Sequence, residues 1–243
     1  MAIGVFDSGL GGLTVLEAVR HALPGQDFVY LGDNANAPYG WKSPAEIYEL
    51  TIAGVERLFA RGCRLVVLAC NTASAVALHD LQVNWLNPGT HRVLGVFVPV
   101  IEHLTRRDWG DNAPPTHTGL ANVALFATPA TVRSGAFPRE LRFRARDVTV
   151  VPQACTGLVE AIEAGDLDRA ADIAREHVAA LPASTALVSQ PALIAASLAD
   201  YLTRHPGFAG GSGEVAWLTT GDPWAVGARA AVFTGRALPF APA

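Results

Sequence analysis

The chain has few of the residues that build disulfide frameworks, zinc sites or nucleic-acid-binding surfaces. Its 243 residues include three cysteines and one methionine, and 18 basic side chains stand against 22 acidic ones. Cys63, Cys70 and Cys155 cannot form a disulfide framework, and their spacing matches no zinc motif. A formal net charge of −4 without a basic patch makes nucleic acid a poor candidate partner.

Long apolar runs are absent as well. No stretch approaches the length needed to span a membrane, so no membrane partner is expected. Residues 1–6 are apolar but lack the basic region that opens a signal peptide, and we therefore expect a cytoplasmic protein. The length and a hydrophobic content of 50% allow one large or two small domains with ample core.

Short apolar runs alternate with segments of helical periodicity, which predicts an α/β fold with mostly parallel sheets flanked by helices. The predicted strands are residues 3–6, 28–31, 65–69, 93–98, 123–126, 148–151, 186–189 and 215–218. The predicted helices are residues 14–23, 44–61, 73–81, 131–142, 157–164, 167–180, 191–204 and 223–235. Residues 105–122 show no periodicity, and we interpret them as an insertion rather than a functional flap.

Two series of strands and helices echo each other, which predicts two pseudo-symmetric lobes with the active site in the cleft between them. Lobe one is expected to contain residues 1–98 and 187–243, and lobe two residues 99–186. Three strands of the first series end in small polar residues. The second series repeats this at two strands, but residues 184–191 offer no cysteine, histidine or acid at the third.

Cys70 lies in the most informative stretch, residues 66–74, where a buried strand is expected to deliver a thiol to the mouth of a helix. Free cysteines are often only small buried hydrophobes. However, Asn71 and Thr72 follow Cys70 directly, and polar side chains at a strand exit indicate a ligand site. Backbone N–H groups at the helix start are expected to favour the thiolate.

Several segments resemble the bacterial glutamate racemases, members of the cofactor-independent aspartate/glutamate racemase family. They begin with Gly-Val-Phe-Asp-Ser-Gly-Leu-Gly-Gly at residues 4–12 and include Ala-Cys-Asn-Thr-Ala-Ser at residues 69–74. The remaining segments are residues 30–33, 37–44, 128–135, 154–165 and 220–223. The resemblance implies an isomerase that interconverts L- and D-glutamate for peptidoglycan biosynthesis, and hence for cell shape, without a cofactor or metal.

The resemblance also implies the roles of individual residues. Cys70 would be one catalytic base, with Asp7 beside it to hold or steer the thiol proton. Substrate-binding groups would be Ser8, Tyr39, Gly40, Asn71 and Thr72, and further candidates are Asp33, Thr128 and Glu163. The substrate would be glutamate, its preference over aspartate is left open, and a homodimer is one assembly that the resemblance allows.

The second cysteine block of the family, Gly-Cys-Thr-His-Tyr-Pro, has no counterpart in this sequence. Residues 187–191 resemble the strand and turn that follow that block, which predicts the loss of about one strand–helix unit between Leu181 and Leu187. One thiol can exchange the α-proton on one face but cannot invert the centre efficiently. The alternative is a catalytically disabled family member that acts as a binding or regulatory protein.

Other interpretations of the same residues remain open at this stage. Asp7 could cap the helix that follows it, Asp33 could be a turn residue, and Tyr39 a turn aromatic. A nucleotide-binding oxidoreductase is a further alternative, because Gly9-Leu10-Gly11 follows a strand. That fingerprint lacks its third glycine, and a carboxylate at Asp7 would lie beside the pyrophosphate.

Overall fold

The larger of two sheets forms the centre of the hydrophobic core. The structure is a computed structural model and describes residues 1–108, 110–111 and 113–243. Six parallel strands follow the order β4-β3-β1-β2-β7-β8. Their bounds are β1 Ile3–Asp7, β2 Phe28–Gly32, β3 Leu65–Leu68, β4 Arg92–Gly95, β7 Val215–Thr219 and β8 Ala241–Pro242.

The smaller sheet pairs β5, Asn122–Ala127, with β6, Thr149–Ala154, in parallel. The two sheets differ in how well they are covered. Every residue of β1, β2 and β3 is buried, as expected for parallel strands with helices on both faces. No residue of β5 or β6 reaches that level, so the smaller sheet is thinly covered.

Helices connect the strands and pack on both sheets, which confirms the predicted α/β class with parallel sheets. Their bounds are α1 Gly12–Ala22, α2 Pro44–Ala60, α3 Asn71–Val76, α4 Leu78–Asp80, α5 Phe97–Thr105, α6 Pro129–Ser134, α7 Ala136–Arg142, α8 Leu158–Ala164, α9 Leu167–Ala179, α10 Gln190–Arg204, α11 Pro223–Arg229 and α12 Ala231–Thr234. A 3-10 turn spans Tyr39–Trp41, another spans Pro206–Phe208, and a π-helix spans Leu81–Trp85. None of the described helices has both the length and the apolar character for a membrane crossing.

The predicted strand at residues 186–189 is wrong. Residues 185–189 form no regular element, and α10 begins at Gln190. Leu187 is 82% exposed and Val188 is 42% exposed, so neither side chain is covered by the fold. An apolar run becomes a strand only where a neighbouring strand accepts its backbone hydrogen bonds, and no strand lies beside this one in the described residues.

Other boundaries differ for local reasons. The predicted strand at residues 93–98 stops at Gly95, because Pro99 fits the first turn of α5, where its missing N–H costs nothing. The predicted helix at residues 131–142 is two helices, separated at Gly135 with φ of 60°. The terminal helix is likewise divided into α11 and α12, and the short β8 was not predicted.

The long connection between α5 and β5 contains neither a helix nor a strand among its described residues. Its conformation depends on Arg107, whose guanidinium donates to the carbonyl oxygens of Ala113 (2.7 Å) and of Pro114 and Arg144 (both 3.1 Å). Trp109 and Asn112 lie outside the described residues. The interpretation of this connection as an insertion stays a prediction.

The division into lobes at residues 98 and 187 also stays a prediction. The packing of α10 agrees with it, because this helix contacts α1 and α5 beside the larger sheet. The smaller sheet takes both its strands from residues 99–186. The described part of the second series thus contributes two strands to the smaller sheet, whereas the first series contributes four strands, β1 to β4, to the larger sheet.

Candidate functional site

Three side chains lie at the carboxyl edge of the larger sheet, where parallel α/β sheets bind ligands. Asp7 is the last residue of β1, Asp33 follows β2, and Cys70 lies just beyond β3 as the N-cap of α3. Their exposed fractions are 6%, 3% and 5%. Because β1 pairs with both β2 and β3, these residues are neighbours in space although the sequence separates them widely.

The direct partner of the Cys70 thiol is Ser8. The Ser8 Oγ lies 3.3 Å from the Cys70 Sγ, and the Ala73 N–H donates to the same sulfur at 3.4 Å. Asp7 instead accepts a hydrogen bond from the Gly9 N–H at 2.7 Å. Asp7 therefore influences Cys70 through its charge, and Ser8 is the group placed to hold the thiol.

The start of α3 favours the thiolate of Cys70 as expected, but the enclosure of the thiol opposes this effect. The pKa of Cys70 is raised to about 11, chiefly by burial and further by the charge of Asp7, and the hydrogen bonds from Ser8 and Ala73 only partly oppose this. The helix start does act in the expected direction. However, the desolvation of a nearly enclosed thiolate outweighs it, so Cys70 carries its proton at neutral pH.

A second carboxyl group approaches this edge from α8. Glu163 Oε1 accepts from the Leu10 N–H at 2.8 Å, and a Cβ at Gly9 would collide with that carboxylate. Burial raises the pKa of both Asp7 and Glu163, and the charge of Asp7 further raises that of Glu163. Buried acids held close together favour the binding of a cationic group, because a positive charge relieves their mutual repulsion.

We predict that Asp7→Asn lowers the pKa of Cys70 by roughly one unit, because the neutral amide no longer repels the thiolate. Cys63 is the internal control, since burial alone raises its pKa to about 11. Titration of the cysteine ¹³Cβ shifts follows both groups in one sample. An equal shift at Cys63, or none at Cys70, would contradict the electrostatic role of Asp7.

Asp33 is engaged in local structure. Its carboxylate accepts from the Tyr39 hydroxyl at 2.6 Å, from the Thr220 hydroxyl at 2.7 Å and from the Asn36 amide at 3.0 Å. This fixes the Tyr39–Trp41 turn against the sheet edge. The hydroxyl of Tyr39 is therefore committed to Asp33, and burial together with Asp33 raises its pKa well above the usual range.

The edges of the two sheets meet through threonines and one glycine. Thr72 Oγ1 lies 2.9 Å from Thr128 Oγ1, and the Thr131 hydroxyl donates to Thr72 Oγ1 at 3.3 Å. A Cβ at Gly40 would come within 3.1 Å of the Thr128 Cβ, so a side chain at this position would press on Thr128. These contacts bring the predicted site residues Thr72, Gly40 and Thr128 together.

Asn71 contacts a residue that sequence reasoning did not select. Its amide group forms two hydrogen bonds with the amide of Gln190, each 2.9 Å long. Thr131 and Thr220 were also missed as parts of the site. All three lie in segments with family resemblance, so the resemblance carried a signal for them, but only the fold shows their partners.

A cavity of about 590 Å³ lies between α2 and α3 on one side and α6 and α7 on the other. Lys42, Ala75, Ala130 and Arg133 are among its lining residues. None of the site residues predicted from the sequence lines it. Cys70 is instead enclosed where the two sheet edges meet.

Comparison with known proteins decides the family. No family model matches the sequence. A glutamate racemase from Jannaschia sp. (strain CCS1) is 52% identical over 268 residues, covering 99% of this chain and 98% of that protein. A glutamate racemase from Roseobacter denitrificans is 51% identical over 271 residues, covering 100% of both. The chain belongs to the glutamate racemase family.

A solved structure of a glutamate racemase agrees with this assignment. The enzyme from Thermus thermophilus, in complex with β-chloro-D-alanine, matches with a TM-score of 0.81 and 32% identity over 100% of this chain and 96% of that one. The relatives of this chain are therefore amino-acid racemases, which are isomerases. The alternative of a disabled binding protein finds no support among them, and neither does a nucleotide-binding oxidoreductase.

Proposed function

We propose that this chain binds glutamate and transfers the proton at its Cα through Cys70. The observation that carries the proposal is the thiol of Cys70 at the sheet edge, 3.3 Å from Ser8 and beside Asp7, in a chain about half identical to glutamate racemases. A thiolate suits this step because it is weakly hydrated and its pKa responds strongly to its surroundings.

The roles of the neighbouring residues follow from their chemistry. Ser8 holds the thiol, and Asp7 controls its proton affinity. Hydrogen-bond donors for the substrate carboxylates come from Asn71, Thr72 and the N–H groups at the starts of α1 and α3. Gly40 contributes its backbone next to Thr128, on which a side chain at this position would press.

The acidic groups of the site account for the recognition of an amino acid. Burial raises the pKa of both Asp7 and Glu163, and the charge of Asp7 further raises that of Glu163. An α-ammonium group placed between them would stabilise their charged forms. Its positive charge would also lower the pKa of Cys70, so that binding of the substrate itself would prepare the base.

Access to Cys70 requires a conformational change. The thiol is only 5% exposed, and Glu163, Thr128 and Thr131 of the second series lie against the edge that carries it. We propose that the contacts between the two sheet edges open to admit glutamate. They would then close again, so that the reacting carbon is shielded from water.

The wider role proposed here is that of the family. D-Glutamate is a component of peptidoglycan, and a cytoplasmic isomerase would supply it to cell-wall synthesis. We propose the cytoplasm as the location and a homodimer as the assembly, both from the resemblance. Neither a cofactor nor a metal is required for the proposed proton transfer, because the thiol itself is the base.

Exchange of the α-hydrogen in deuterated water tests the proposal. ¹H NMR should show loss of the α-signal of L-glutamate with the unchanged chain. With Cys70→Ala the rate should fall by about 10²- to 10⁴-fold, the usual effect of removing a general base. Cys155→Ala is the matched control, since Cys155 is similarly buried and its thiol donates to the Gln153 carbonyl oxygen at 3.8 Å. Equal rates for both variants would refute the role of Cys70.

A further inference from the structure

Gln190, the first residue of α10, holds three hydrogen bonds beside the site. Its Oε1 accepts from the Asn71 Nδ2 at 2.9 Å, and its Nε2 donates to the Asn71 Oδ1 at 2.9 Å. The same Nε2 donates to the carbonyl oxygen of Val96 at 3.1 Å. Both hydrogens of the Gln190 amide nitrogen are therefore in use.

These bonds determine which way the Asn71 amide points. Two paired amides can exchange their oxygen and nitrogen atoms together and still form two hydrogen bonds. The carbonyl oxygen of Val96 removes this freedom, because it can only accept and so must face the nitrogen of Gln190. The oxygen of Gln190 must then face the nitrogen of Asn71, which leaves Asn71 with a single orientation.

The hydrogen bonds of Gln190 connect segments that lie far apart in the chain. Val96 lies between β4 and α5, where the chain leaves the larger sheet, and Gln190 lies where it returns. Asn71 follows Cys70 directly at the start of α3. The Gln190 side chain thus links Val96, in the first connection between the predicted lobes, to Asn71 beside the thiol. Gln190 itself lies in the second connection.

We propose that Gln190 is a positioning residue that fixes the Asn71 amide for the ligand. With Gln190 in place, Asn71 keeps one N–H and one lone pair for a ligand in a defined direction. Without it, the amide can rotate and must be ordered again whenever a ligand binds. The proposal rests on glutamate as the ligand of the site, so its test must separate the two.

Gln190→Met tests the proposal, because methionine has a similar length and no charge but cannot form these hydrogen bonds. Binding of L-glutamate, measured by calorimetry, should weaken by roughly tenfold. Gln82→Met is the matched control, since Gln82 also donates to a backbone carbonyl, that of Val93 at 2.7 Å, but away from the site. The control variant should bind as the unchanged chain does.

A double-mutant cycle separates positioning from general stabilisation. If Gln190 acts through Asn71, Gln190→Met should cause no further loss of glutamate affinity in a chain that already carries Asn71→Ala. A further loss of affinity in the double variant, as large as the loss from Gln190→Met alone, would overturn the proposal. A merely structural role would produce this additive result together with a lower Tm.

The side-chain amide signals of Asn71 in ¹⁵N–¹H NMR provide a test that needs no ligand. They should shift and broaden in Gln190→Met and remain unchanged in Gln82→Met. Unchanged signals in Gln190→Met would overturn the proposal even if glutamate binds. Absence of glutamate binding by the unchanged chain would instead refute the proposed function, and these signals would still decide the role of Gln190.

Discussion

L-Glutamate incubated with this chain in deuterated water should exchange its α-hydrogen but yield little D-glutamate. In the proposed mechanism Cys70 approaches Cα from one face, and inversion requires a second acid on the other. Cys63 is completely buried in the hydrophobic core, and the thiol of Cys155 donates to the Gln153 carbonyl oxygen. Inversion should therefore be at least about a hundredfold slower than the roughly 1 per second of an ordinary enzyme.

Circular dichroism follows inversion, and ¹H NMR follows exchange in the same sample. Exchange with retained configuration is the expected outcome. Inversion at about 1 per second or faster would contradict it and would reveal a second base. Loss of such inversion in Cys155→Ala, with exchange retained, would identify Cys155 as that base.

Two observations support a missing segment as the cause. The alignment with the Roseobacter denitrificans relative extends over 271 residues, 28 more than the 243 of this chain, so positions of that protein have no counterpart here. Among the described residues the smaller sheet has only β5 and β6, although its strands echo a series that supplies β1, β2, β3 and β4. By that correspondence β5 lacks the neighbour that β3 provides to β1.

The positions of Asp7, Asp33 and Cys70 could be predicted because each lies at the carboxyl end of a buried apolar strand. Parallel strands place their carboxyl ends at one edge, so the local pattern suffices to bring these residues together. The pKa of Cys70 could not be predicted in this way. Its direction depends on how completely the thiol is enclosed, and that enclosure involves residues far away in the sequence.

Pairings between distant side chains were also beyond the sequence. Gln190 and Asn71 are separated by 119 positions, and nothing in either segment indicates the other as its partner. At residues 186–189 the sequence instead predicted an element that does not form, because their apolar run is typical of a strand. Whether such a run pairs depends on a neighbouring strand, and local periodicity contains no information about that neighbour.

Supplying the strand–helix unit that the sequence predicts to be missing should raise the rate of inversion by about 10²- to 10⁴-fold, the contribution expected of a second general acid–base group. A segment with the family's Gly-Cys-Thr-His-Tyr-Pro block would be inserted between Leu181 and Leu187, where the sequence predicts the deletion. It should pair with the free edge of β5 and cover Leu187 and Val188, which are 82% and 42% exposed. A higher Tm should accompany this burial of apolar surface.

The matched control is the same insertion with the cysteine of its Gly-Cys-Thr-His-Tyr-Pro block changed to alanine. This variant should gain the same Tm but not the inversion, because it restores the strand without the thiol. Recovery of inversion in the control would show that the segment acts by completing the fold around Cys70. A gain in neither Tm nor inversion with the cysteine-containing segment would contradict the deletion and would leave Cys70 with one-faced exchange as the whole chemistry of the site.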